Sequence, residues 1–201
     1  MPIFTSLRGK MMTTFNWLHI TDLHCGMPGQ EHLWPNVKDK FLDDLHKLHE
    51  ISGPWQVVFF TGDLVQSGEK EEFERLNKLL EELWNVFDRL GSRPLLIPVP
   101  GNHDLVRPSG KSPAVRLLSK WENNPEIHDE FWGEQSSDYR RIVENAFFNY
   151  LDWFGNCPWI NSAEINKGLL PGDFSISLKQ EDIRIGVVGL NTTFLQLTSA
   201  S

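Results

Sequence analysis

Three short polar clusters carry residue types that together could hold divalent cations: Asp22-Leu23-His24, Gly62-Asp63-Leu64 and Gly101-Asn102-His103-Asp104. A carboxylate and an imidazole two positions apart, joined by a carboxylate and an amide from neighbouring loops, make a mixed oxygen and nitrogen donor set. Such a set suits hard or borderline ions such as Mn, Fe or Zn. The glycines allow sharp turns and close backbone approach. Asp-x-His alone recurs by chance in many chains, whereas average residue usage would produce Gly-Asn-His-Asp in roughly one chain of this length in a thousand or fewer. The competing explanation is ordinary turn capping, since Asp and Asn favour loops after strands.

These clusters can meet only if the elements before them place them at one edge. Residues 15–20 form an apolar run ending at Thr21-Asp22, which reads as a buried strand. From Asn36, as N-cap, Val37, Phe41, Leu45 and Leu48 recur at helical spacing up to Ser52-Gly53-Pro54. Residues 56–60 make a second apolar strand, stopped by Thr61-Gly62-Asp63. Glu69, Glu71 and Glu72 crowd the first turn of the next helix, and Phe73, Leu76, Leu80, Leu83, Phe87 and Leu90 trace its apolar stripe to Gly91. Residues 95–99 make the third strand. Crossovers of this length imply parallel pairing with right-handed connections. Ligands of open α/β sheets bind at the carboxyl ends of the strands, so Asp22, Asp63 and His103 should converge there.

Residues 105–160 break the rhythm with Pro108, Pro113 and Pro125, then a helix carrying Tyr139, Ile142, Val143, Ala146, Phe147, Tyr150 and Phe154 on one face. Trp121, Trp132, Trp153 and Trp159 fall in this segment. The expectation is that these helices pack a small core of their own, with a substrate wall as the alternative. Residues 174–178 and 183–190 read as a β-hairpin around Lys179-Gln180-Glu181-Asp182.

The three clusters, in this order and each after a strand, resemble the first three signature blocks of the calcineurin-like metallophosphoesterase family. The phrases His19-Ile20-Thr21-Asp22-Leu23-His24 and Phe60-Thr61-Gly62-Asp63-Leu64 are most similar to its class III cyclic-nucleotide phosphodiesterases. The resemblance implies an α/β sandwich, here incomplete, with a helical Trp-rich insertion after the third strand. It implies residues 1–14 as a flexible leader and 15–201 as the N-terminal portion of the phosphoesterase domain, with 105–160 inserted. It also implies Asp22 and His24 on a first metal, Asp63 bridging two ions, Asn102 on the second, His103 facing the phosphate and Asp104 orienting its ring. Two cations about 3.5–4 Å apart would activate a hydroxide for hydrolysis of a phosphoester, a phosphodiester above all.

The family pattern continues with one lone histidine and then a His-x-His pair, but after Asp104 this sequence has only His128. Of the two divalent ions in a complete site, Mn, Fe or Zn, one would bind here and the second weakly or not at all. The expectation is a downstream segment or another chain supplying the missing histidines, with a non-catalytic interaction or regulatory module of a larger signalling or defence protein as the alternative. A nuclease is the remaining alternative. Against it stands the composition: 19 Lys and Arg against 27 Asp and Glu give a net charge of −8, a poor generic match to nucleic acid or an anionic membrane.

The two cysteines, Cys25 and Cys157, are too few for a disulfide framework and read as reduced thiols in a cytoplasmic protein. No secretory signal or membrane-spanning run is expected. Of the other histidines, His19 reads as a hydrogen-bonded core residue, His46 and His49 as solvated, and His128 as a poor substitute ligand.

Overall fold

Val57–Thr61 (β2), apolar up to its closing threonine, takes the middle of a three-stranded parallel sheet in the computed structural model, which describes residues 13–134 and 136–198. Trp17–Ile20 (β1) and Leu95–Val99 (β3) flank it, with Trp17 opposite Val57 and Phe60 opposite Pro98. Most of the leader expected at 1–14 lies outside the described residues. Pro98 costs the sheet little. The N–H of Leu96, two residues earlier, points away from β2 to the Trp159 carbonyl at 2.9 Å, so the proline's missing donor falls on that outer side.

The buried first strand expected from the sequence is instead an edge, with Trp17 57% exposed. Its neighbour β2 covers one side only. His19 accordingly lies on an exposed face, although its Nε2 does pair with Thr61 Oγ1 at 2.6 Å.

Helix α1 spans Gln30–Ser52 and begins six residues before the expected N-cap at Asn36. The early start has a local cause: the Gln30 side chain accepts from Gly26 N–H at 2.9 Å and donates to the Leu23 carbonyl at 2.7 Å. Those bonds fasten the first turn to the Asp22–His24 loop. They offset the one ladder bond that Pro35 removes inside the helix. Helix α2, Lys70–Arg89, follows the expected stripe and buries Phe73, Leu76, Leu80 and Phe87.

The insertion contributes α3 (Pro113–Leu118), α4 (Pro125–Gly133), α5 (Asp138–Ala146) and α6 (Phe148–Asn156). The single helix expected near 139–154 is split at Phe147. The Ala146 carbonyl there accepts the Val106 N–H at 2.8 Å, so it is turned out of the helical ladder. Nor do these helices keep a separate core. Trp153 stacks on Phe73 of α2 with ring centroids 5.5 Å apart and donates to Asn77 Oδ1 at 2.8 Å, while Trp159 lies 5.2 Å from Trp84. One continuous apolar cluster runs from β2 through α2 into α5 and α6.

A second sheet, antiparallel, is formed by β4 (Asn166–Lys167), β5 (Phe174–Gln180) and β6 (Ile183–Gly189). The hairpin is tighter than expected: Gln180 pairs with Ile183, leaving Glu181 and Asp182 as the turn, with Glu181 at φ 50°. Phe174, Ile176 and Leu178 alternate inward to the core. A Cβ at Gly189 would stand 2.8 Å from Val99 Cγ1, so this sheet presses on the end of β3 where the third polar cluster begins.

Candidate metal centre

The parallel pairing of β1 and β2 continues past both strands and so carries the first two clusters together. Asp22 N–H donates to the Gly62 carbonyl at 3.2 Å, His24 N–H to Asp63 at 2.9 Å and Cys25 N–H to Leu64 at 2.9 Å. The third cluster is joined by a side chain: the His103 N–H donates to Asp63 Oδ1 at 3.1 Å. Glycine makes that junction possible. A Cβ on Gly101 would lie 2.2 Å from Asp63 Oδ1 and 2.4 Å from its backbone nitrogen. Gly101→Ala is therefore expected to cost about 1–3 kcal/mol of stability and to shift the Asp63 carboxylate, which urea unfolding and Mn²⁺ titration of the same variant would read.

Three residues of the centre, Asp22, His24 and Asp63, have φ between 48° and 56°. Left-handed backbone is uncommon in residues with a Cβ, and such strain collects where side chains must be aimed. With Asp63 Oδ1 committed to His103, its Oδ2 faces His24 Nε2 at 3.7 Å, and Asp22 Oδ1 stands 3.9 Å from the same nitrogen. Donor atoms of His24, Asp63 and His103 all lie within 4.8 Å of one another. The other His24 nitrogen, Nδ1, is buried without a hydrogen-bond partner. The His24 imidazole and the Asp63 carboxylate, with Asp22 beside them, fit a borderline divalent cation such as Mn, Fe or Zn, and the His103 ring stands next to the place it would take. Asp22 is more exposed and receives Thr21 Oγ1 at 2.7 Å on its Oδ2. Asn102 lies half-buried on the turn after β3, its carbonyl taken by Arg107 Nη2 at 3.0 Å.

Asp104 does not hold the His103 ring, contrary to expectation. Its carboxylate is fully buried, with Oδ1 accepting Val65 N–H at 2.9 Å and Oδ2 accepting Gly101 N–H at 2.7 Å. It therefore ties the second loop to the third. Burial pushes its carboxyl up to about 7, against the pull of those backbone donors. The ring is held by a main-chain group instead: His103 Nδ1 lies 2.7 Å from the Gln66 carbonyl. A carbonyl can only accept, so Nδ1 carries the proton and Nε2 is the nitrogen left for chemistry.

Two further residues build the centre without having stood out in the sequence. Glu72, mostly buried, accepts from Ser67 N–H and Ser67 Oγ at 2.8 Å each and from Glu69 N–H at 3.2 Å, bracing the turn beyond Asp63. Its only sequence mark was a place in an acid-rich first turn. Arg107 fastens the Asn102 backbone, and nothing in its local sequence announces that.

Other candidates lie elsewhere. His128 sits 5.1 Å from the Trp121 ring at the insertion surface. His46 is exposed, whereas His49 is half-buried against Trp55 and not solvated as expected. Cys25 and Cys157 are both free and buried, and burial pushes each thiol up to about 11. Among the described residues no helix is long and apolar enough to cross a membrane.

A family model described as calcineurin-like phosphoesterase matches residues 15–197. No curated protein matches the chain.

Proposed function

We propose, from the premise that the chain belongs to the calcineurin-like phosphoesterase family, that it hydrolyses phosphodiesters, with Asp22, His24, Asp63 and Asn102 as metal ligands and His103 as proton donor to the leaving oxygen. The family indicates a hydrolase that cleaves phosphoesters with divalent metals. The observation that carries the reading is the convergence of His24, Asp63 and His103 donor atoms within 4.8 Å. Divalent cations held there would offset charge on the phosphoryl oxygens and acidify water.

The chain's own residues supply the remaining steps. The His103 backbone N–H pins one Asp63 oxygen, which leaves the other directed at His24. Because Nδ1 is held by the Gln66 carbonyl, the imidazolium form of His103 presents Nε2–H as the proton to be given. Asp104 keeps the loops carrying Asp63 and His103 at fixed spacing. Phosphodiester preference rests on the resemblance of residues 19–24 and 60–64 to class III cyclic-nucleotide phosphodiesterases. Manganese is the metal we favour, the cytoplasm the compartment, and a downstream segment or a second chain the source of further histidine ligands.

The reading is tested by hydrolysis of bis(4-nitrophenyl) phosphate and of 4-nitrophenyl phosphate with Mn²⁺ added or chelated. Mn²⁺-dependent turnover that is faster on the diester and lost in Asp63→Ala is expected. Turnover that survives both chelation and the substitution contradicts it.

A further inference from the structure

We propose that the cleft between α1 and α2 receives an apolar alkyl or aryl group of the phosphoester, namely the ester group that stays on phosphorus. The inference rests on the phosphodiesterase reading above. A cavity of about 490 Å³ lies between the two helices, with Met27, Val37, Phe41, Phe60 and Leu83 among its walls and Asp22 at its rim. Its size falls in the range of small-molecule sites, which are mostly apolar with a few polar groups. Val37 is 51% exposed and Met27 37%, so part of the cleft's apolar lining is open to solvent among the described residues. The ion pair of Lys38 with Glu82 joins the two helical walls.

The occupant follows from continuity. Asp22 belongs to both places: its carboxylate stands 3.9 Å from His24 Nε2, and it lines the cleft. A phosphate held at the centre would therefore carry any substituent on its Asp22 side directly into apolar surroundings. No residue of the Gly101–Asp104 turn lines the cleft. The group received there is thus not the one departing beside His103, and only a diester has a second organic group to place.

Alkyl phosphates, the products that retain this group, are the probe. In the presence of Mn²⁺, calorimetric titration with ethyl, butyl and hexyl phosphate should show Kd falling about two- to fourfold per methylene. Val37→Asp and Leu83→Asn should flatten the series. Hexyl phosphate binding no more tightly than ethyl phosphate overturns the inference, as does a series indifferent to both substitutions. The same titration without Mn²⁺ separates the two readings. A chain-length series that persists with no Mn²⁺-dependent phosphate binding upholds the cleft and removes the metal chemistry, whereas Mn²⁺-dependent binding of equal strength for all three phosphates does the reverse.

Discussion

His103→Ala is expected to lower kcat for a phosphodiester with a poor leaving group by about 10²–10⁴, with Mn²⁺ affinity largely kept. The reason is positional. The ring is fixed through Nδ1 to the Gln66 carbonyl, and its backbone N–H separately fixes Asp63 Oδ1. Alanine removes the proton donor but leaves the N–H that orders the metal-binding carboxylate. The loss should depend on what departs: nitrophenolate needs little protonation and an alkoxide needs a full proton, so alkyl esters should suffer far more than nitrophenyl esters. Comparing kcat for the two leaving groups in parent and variant reads this directly. An equal loss on both would assign the ring to holding metal or substrate instead of donating a proton.

Asp104→Ala is expected to destabilise the fold by about 2–6 kcal/mol, because it leaves two buried N–H groups without acceptors at ~1–3 kcal/mol each. Those donors, on Val65 and Gly101, lie in two different loops at 2.9 Å and 2.7 Å from the carboxylate. The two loops carry Asp63 and His103, so the damage is to the geometry of the centre as well as to stability. Asp104→Asn keeps one acceptor oxygen and turns an NH₂ toward the other donor, and it should lose less. Urea unfolding of the two variants gives the ordering. A ring-orienting role would predict instead that both keep parental stability.

Much of the centre was legible because a simple topological rule connects it to sequence. Asp22, Asp63 and His103 each follow an apolar run long enough for a strand and are separated by helix-length crossovers, which places them at one edge of a parallel sheet. What the sequence hid was the main-chain and distant side-chain bonding. A carbonyl such as that of Gln66 has no residue type to betray it, so the natural partner for His103 looked like the adjacent acid, Asp104. The acid was instead drawn to two backbone N–H groups. The same blindness explains the helices. Asn36 looks like a cap, but Gln30 reaches back to Leu23 and Gly26 and starts α1 earlier. An unbroken apolar stripe suggests one helix where the Val106 N–H, far along the chain, makes two. Exposure of β1 was equally invisible, since three of its four residues are apolar and only the sheet order makes it an edge.

The most direct measurement is Mn²⁺ binding by the chain and by its Asp63→Asn and His24→Ala variants, followed by isothermal calorimetry and by the paramagnetic resonance of free Mn²⁺. One site in the parent, abolished or weakened more than about tenfold by either substitution with the fold intact by circular dichroism, is the predicted result. No binding by the folded parent, or binding that both variants retain unchanged, would contradict the assignment of this centre to a divalent metal.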